Sequence, residues 1–132
     1  MPIADTSEQN AFLDNQFGPA HGSAAPSSHE LALFDGDPLN GGTELTSDGG
    51  YARVTIPNDS TWEDAVDGIK NVSAQFDAPT GAWSGDATHY ALFNGSAMGY
   101  TDAFSDPLTV TEASDTGPVV QIAIYFADNA GA

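Results

Sequence analysis

A mainly β fold is what the sequence predicts: a small antiparallel β-sandwich or barrel-like domain behind a short N-terminal helix. Three observations carry this expectation. Short segments alternate apolar and polar side chains with period two. The separators between them are rich in Gly, Asp, Asn and Pro. Ahead of them stands one segment of helical character that Gly18-Pro19 closes. A chain of 132 residues supports one domain, which buries roughly 68% of its unfolded surface. With 40% apolar residues, a core needs neither a disulfide nor a metal.

The helix is expected over residues 6–17, TSEQNAFLDNQF. Thr6 or Ser7 can cap the exposed N–H groups, and Glu8 sits in the favourable first turn. Phe12, Leu13 and Phe17 supply a narrow apolar face. That stripe is too small to fold alone and must dock on the body or on a neighbouring subunit, so these three are the candidate subunit-docking residues. Residues 18–28, GPAHGSAAPSS, hold prolines and no apolar anchor and read as a linker. The expected organisation is a helix and flexible linker over 1–27 and a β-rich domain over 28–128.

Strands are expected at HELALF (29–34), YARVTI (51–56), NVSAQF (71–76), HYALF (89–93), MGYTDAF (98–104), LTVT (108–111) and VVQIAIYF (119–126). In YARVTI, alternation sends Ala52, Val54 and Ile56 to a buried face and Tyr51, Arg53 and Thr55 to the other. VVQIAIYF is apolar on both faces and should lie centrally in a sheet or under a partner. Pro57, Pro79, Pro107 and Pro118 fall between strands or at their starts, where a missing N–H costs little. TWEDAVDGI (61–69) reads either as a helical turn or as an irregular loop. HELALFDGD (29–37) and HYALFNGS (89–96) echo each other, a weak sign of a duplicated strand-turn unit.

Charge excludes several functions. Nineteen Asp and Glu stand against Arg53 and Lys70 alone, giving a net charge of −17. Nucleic acid and anionic membranes need a Lys/Arg footprint that is absent, so neither is an expected partner. No run of about 18 apolar residues spans a bilayer, and MPIADTSEQN lacks the basic start of a signal peptide. The reading is a soluble protein made in the cytoplasm. The acids are spread along the chain, and self-repulsion on so small a body fades where the Debye length is about 3 Å, at 1 M salt. The expectation is a halophilic protein, from a haloarchaeon or something that replicates in one.

No catalytic signal stands above background, and no cofactor or metal is expected. Cysteine is absent. Counted from Asp35, DGDPLNGG (35–42) puts Leu39, Asn40 and Thr46 at positions five, six and twelve of a calcium loop, so the match fails and the stretch reads as a wide turn. His21, His29 and His89 have no metal-pair spacing, although His29 and His89 would form a site if they met across a sheet. GSAMG (95–99) misplaces the serine of a hydrolase elbow. Sequons begin at Asn58, Asn71 and Asn94. Trp62, Trp83, Tyr90 and Tyr100 are candidates for turn packing or for an aromatic surface that stacks on sugars. In GAWSGDATHYALFNG (81–95), Gly81 and Gly85 bracket a turn, Trp83 caps the end of the core, and HYALF is the returning strand.

The order of segments resembles a family of small structural proteins of tailed viruses, the tail-fibre-like or minor virion structural proteins. The features that carry the resemblance are AFLDNQFG (11–18), LALFDGDP (31–38), TELTSDGGYARVTI (43–56), VSAQFDAPTGAWSGDATHYALFNG (72–95) and DPLTVTEASDTGPVVQIAIYF (106–126). GGYAR and APTGAW…THYALF are the most specific. The resemblance covers 11–126 and implies a non-enzymatic virion component with a β-rich body and no catalytic residue. The expected role is a capsid-exterior decoration or turret subunit, or a tail-fibre or fibre-base module, on the outer surface of head or tail. Expected partners are further copies of the chain, other virion proteins and a host surface glycan. The alternative is a carbohydrate-binding surface module.

Overall fold

The computed structural model of the protein describes residues 6–19, 22 and 25–125. His21 and Phe126 lie outside the described residues. The described residues form two compact units, one from those of residues 6–28 with 56–73 and 121–125, the other from 29–55 and 74–120.

The second unit is organised by the two echoing segments, which become neighbouring strands. HELALF forms β1 (Ser28–Asp35), and β2 (Thr43–Glu44) returns against it. YARVTI contributes β3 (Val54–Pro57), which also pairs with β1. NVSAQF belongs to β4 (Ile69–Gln75) and HYALF to β5 (Ala87–Asn94). β5 runs antiparallel to β1 with Leu31 opposite Leu92, Ala32 opposite Ala91 and Leu33 opposite Tyr90. Both faces of this pair are buried. Leu31, Leu33, Tyr90 and Leu92 fill one, while Ala32, Phe34, Ala91 and Phe93 fill the other. Gly95-Ser96, with φ +63° at Gly95, is the glycine-first two-residue turn of a tight hairpin. It leads into β6 (Ala97–Leu108), the outer strand of the order β2-β1-β5-β6. This sheet stays open, so the barrel half of the expectation is not realised.

Two strand expectations are corrected here. MGYTDAF and the start of LTVT form one strand instead of two, and Pro107 lies inside it. The reason is a slip in register: Ala87 faces Leu108 while His89 faces Ala103, which leaves residues 104–107 opposite Thr88 alone. In such an irregularity a missing N–H removes no regular rung. YARVTI joins a sheet only from Val54, so its expected faces fail at the start, where Tyr51 is buried and Ala52 exposed. Gly49 and Gly50 (φ +67° and +81°) turn the chain just before Tyr51. The Tyr51 ring packs edge-on to Trp83, with centroids 5.5 Å apart, and stacks on Phe76 at 6.2 Å.

The first unit holds α1 (Thr6–Gln16), residues 56–73 and most of β7 (Val119–Tyr125), which pairs with β4 in a two-stranded sheet. VVQIAIYF is therefore not central. Val120, Ile122 and Ile124 are buried and Val119 is 60% exposed, the alternation of a strand with one covered face. TWEDAVDGI resolves to the irregular reading. Trp62 bridges to Val72, and Val66-Asp67-Gly68-Ile69 closes a tight hairpin. Its two backbone bonds are 3.0 and 2.9 Å, and φ is +52° at Asp67 and +74° at Gly68. Positive φ at both central positions is what an Asp-Gly hairpin turn requires.

Candidate functional site

The sequence's only two Lys/Arg residues are both engaged in internal pairs. Arg53 donates from Nε and Nη2 to the Glu44 carboxylate at 2.9 and 2.8 Å, and from Nη1 to Glu30 at 3.4 Å. Its guanidinium lies 4.0 Å above the Phe93 ring. The Arg53 hydrogen bond is the main cause that holds the Glu44 carboxyl below its ordinary range, and it raises the arginine in turn. The Tyr51 hydroxyl accepts from the Leu33 N–H at 2.9 Å and donates to Glu44 at 3.0 Å, and burial raises its pKa. Lys70, 1% exposed, places its ammonium 2.7 Å from Asp14 of α1. Both cations are thus engaged with carboxylates of the chain itself.

The helix residues separate by their 100° spacing. Leu13 and, one turn earlier, Gln9 are buried, and Phe17 packs on Trp62 with centroids 4.9 Å apart. Phe12 falls off that stripe and is 49% exposed. Polar clamps flank the stripe. The Ala65 N–H donates to Asp14 and the Gly68 N–H to Asn10, at 3.0 and 2.8 Å. Buried Asn58 donates to the Gln16 and Pro26 carbonyls and accepts from the Gly18 N–H. The first sequon is therefore shut inside the fold, whereas Asn71 and Asn94 are exposed.

Of the four aromatic candidates, Trp62, Trp83 and Tyr90 are buried at 2%, 6% and 4%. A buried ring offers no face to a sugar. Trp83 packs between Tyr51 and Phe76, and its indole N–H is buried without an acceptor among the described residues. Tyr100 is half-buried against Tyr90, and Phe104 joins them at 5.2 Å from Tyr90.

The remaining motifs resolve locally. In DGDPLNGG, Asp37 accepts from the Leu39 N–H and the Asn40 amide, both at 2.9 Å, and caps the single turn Pro38–Asn40. Those bonds, the Leu39 N–H foremost, lower the Asp37 pKa. Ser96 of GSAMG sits in the hairpin turn. His29 and His89 do not meet, because His89 faces Phe34, five positions along β1 from His29 and about 17 Å away. No metal-holding cluster of His, Asp and Glu occurs among the described residues.

Sequence reasoning missed two surfaces. One is the outer edge of β6, where Asp102 turns back on its own strand and accepts the Ala103 N–H at 2.8 Å. With the slips in register and Pro107, it breaks up the regular row of groups an edge offers to another strand. The other is an open recess of about 200 Å³ lined by Asp37, Leu39, His89, Thr101, Asp102 and Ala103. Its only sequence signal is the Asp-x-x-Asn spacing of the 37–40 turn.

The family that this chain matches is one of tail-fibre-like structural proteins of phages. The family model described as Podophage GP4 fiber I protein gp80 matches residues 3–126, and the chain belongs to that family. No curated protein and no solved structure matches the chain.

Proposed function

We propose that this chain is a non-enzymatic subunit of the tail fibre or fibre base of a tailed virus, acting in virion assembly and host attachment. The family match over residues 3–126 carries the reading. The fibre-family match favours the fibre over a capsid turret. The subunit assembles with other virion proteins and with copies of itself, the exposed Phe12 of α1 being the docking residue left outside the core. A host in saturated brine, a haloarchaeon, is supported by the −17 charge and by the internal use of both cations. The aromatic carbohydrate module loses ground, since three of its four rings are buried.

Immunogold labelling of intact virions at native salt tests the placement. Gold on the tail or its fibres is the expected result. Gold distributed over the head shell would restore the turret reading, and virions without label would end both.

A further inference from the structure

We propose that Asn94, alone of the three sequon asparagines, carries an N-linked sugar on its side-chain amide, added after the chain has folded. The acceptor pattern Asn-x-Ser begins at Asn58, Asn71 and Asn94. The fold treats the three copies differently.

Asn58 is closed. Its amide nitrogen donates both protons, to the Gln16 carbonyl at 3.0 Å and to the Pro26 carbonyl at 2.8 Å. Its oxygen accepts the Gly18 N–H at 3.1 Å. A sugar on that nitrogen removes one of the protons and needs room at a residue that is 6% exposed. A chain modified at Asn58 before folding cannot close this clamp, so folding must reach Asn58 before a transferase does. Asn71 and Ser73 are exposed on one face of β4, but Val72 between them is buried and bridges to Trp62. The Asn71 carbonyl accepts the Glu63 N–H at 3.0 Å, and β4 also pairs with β7. A strand held by two neighbours offers an enzyme a flat face and no free backbone.

The third copy is open. Asn94, Gly95 and Ser96 are all exposed at the tip of the β5–β6 hairpin. A methyl group on Gly95 would meet nothing beyond its chain neighbours within 4 Å, so the backbone of the turn stands clear of the body. The pairing of Asn94 with Ala97 closes the hairpin through the backbone and leaves the Asn94 side chain out of the ladder. The donor is a sugar carried on a diphosphate. Asn94 Nδ2 bonds to the anomeric carbon, and the bond from that carbon to the phosphate oxygen breaks. The diphosphate leaves with the electron pair, and the amide proton passes to a base of the transferase. The surroundings suit a neutral sugar. No Asp or Glu stands between Asp86 and Asp102, and Met98 beside the turn is 36% exposed. The sugar supplies there the hydration that carboxylates supply elsewhere on the surface. The fibre reading enters only in the material, virions.

The test is tandem mass spectrometry of the chain isolated from virions and from infected host cells. Cleavage before aspartates gives residues 48–58, 67–76 and 86–101, each with one sequon. Sugar is expected on 86–101, located at Asn94, with the other two fragments bare. In virus carrying Ser96→Ala the sugar should be lost while the chain accumulates as in the parent. A bare 86–101 fragment from both sources, sugar on either other fragment, or sugar retained in Ser96→Ala would overturn the proposal. A chain present in virions with 86–101 bare sinks the glycan and leaves the fibre reading intact. Sugar on a chain found in cells and absent from virions does the reverse.

Discussion

Removing Asp14 should cost far more than removing the lysine it serves. The Lys70 side chain is 1% exposed, and its ammonium lies 2.7 Å from Asp14 Oδ1. Asp14→Ala leaves that charge buried with its counter-ion gone, and the Ala65 N–H loses its acceptor as well. Breaking a buried pair from one side costs roughly 3–5 kcal/mol. The Asp14 side chain is 34% exposed, so water can enter the vacated position, and the lower end, about 3 kcal/mol, applies. Lys70→Met instead removes the buried charge and keeps the volume, while Asp14 retains the Ala65 N–H. That change should stay within about 1 kcal/mol of the parent. At roughly 4 °C per kcal/mol for a chain of this size, Asp14→Ala should lower Tm by about 12 °C and Lys70→Met by less than about 4 °C. Thermal and urea unfolding at one fixed KCl concentration measure both. Equal losses, or a larger loss for Lys70→Met, would refute the reasoning by showing that the lysine itself is the net stabiliser.

The same contact sets a pH dependence. Burial raises the Asp14 pKa, but the Lys70 hydrogen bond, the Ala65 N–H and the lysine charge together bring it below 3.8. With the folded value below the unfolded one, the stabilisation is complete above about pH 4 and is lost as pH falls through the folded value. Melting curves of the parent and Asp14→Ala proteins should therefore draw together as pH falls through the lowered Asp14 value, and a gap that does not narrow in acid contradicts the assignment. Parent stability should rise from low to multimolar KCl, because screening relieves the repulsion of a −17 charge; a Tm that is flat or higher at low salt ends the halophile reading. Tyr51→Phe leaves the Leu33 N–H buried without its acceptor, a loss of about 2 kcal/mol in urea unfolding, and a change under about 0.5 kcal/mol would contradict it. Gly117→Ala drives a methyl group into the Phe76 carbonyl and should cost about 2 kcal/mol or more. An unchanged Tm would show that the backbones are not so close.

Period-two alternation carried the fold because a strand with a covered face leaves that signature in its own residues. β4 falls where alternation places it. β1 and β5, buried on both faces, stand out as short apolar runs between turn residues, and β7 alternates in burial although VVQIAIYF reads as apolar on both faces. Alternation failed where the partner decides. β6 alternates poorly because its edge is exposed, and its continuity across Pro107 depends on a slip in pairing with β5 that no local pattern encodes. Counting along YARVTI turns Tyr51 outward, yet residues 51–53 lie between the Gly49-Gly50 turn and the strand, so the alternation of β3 does not reach them.

The helix shows how one added residue would have changed a functional expectation. NVSAQF begins at Asn71, but the strand begins at Ile69, and alternation then puts Lys70 on the buried face with Val72 and Ala74. A lysine at such a position needs a carboxylate, since a buried charge is stable only when paired. The sequence holds one helix with an acid beside its apolar stripe, Asp14 next to Leu13. Lys70 and Asp14 thus specify that α1 lies on its own unit, with Leu13 and Phe17 turned inward and Phe12 left outside. Apolar spacing alone treats Phe12, Leu13 and Phe17 as one docking face. The charge pair divides them: Leu13 is buried, Phe17 is half-buried against Trp62 and Phe12 is 49% exposed.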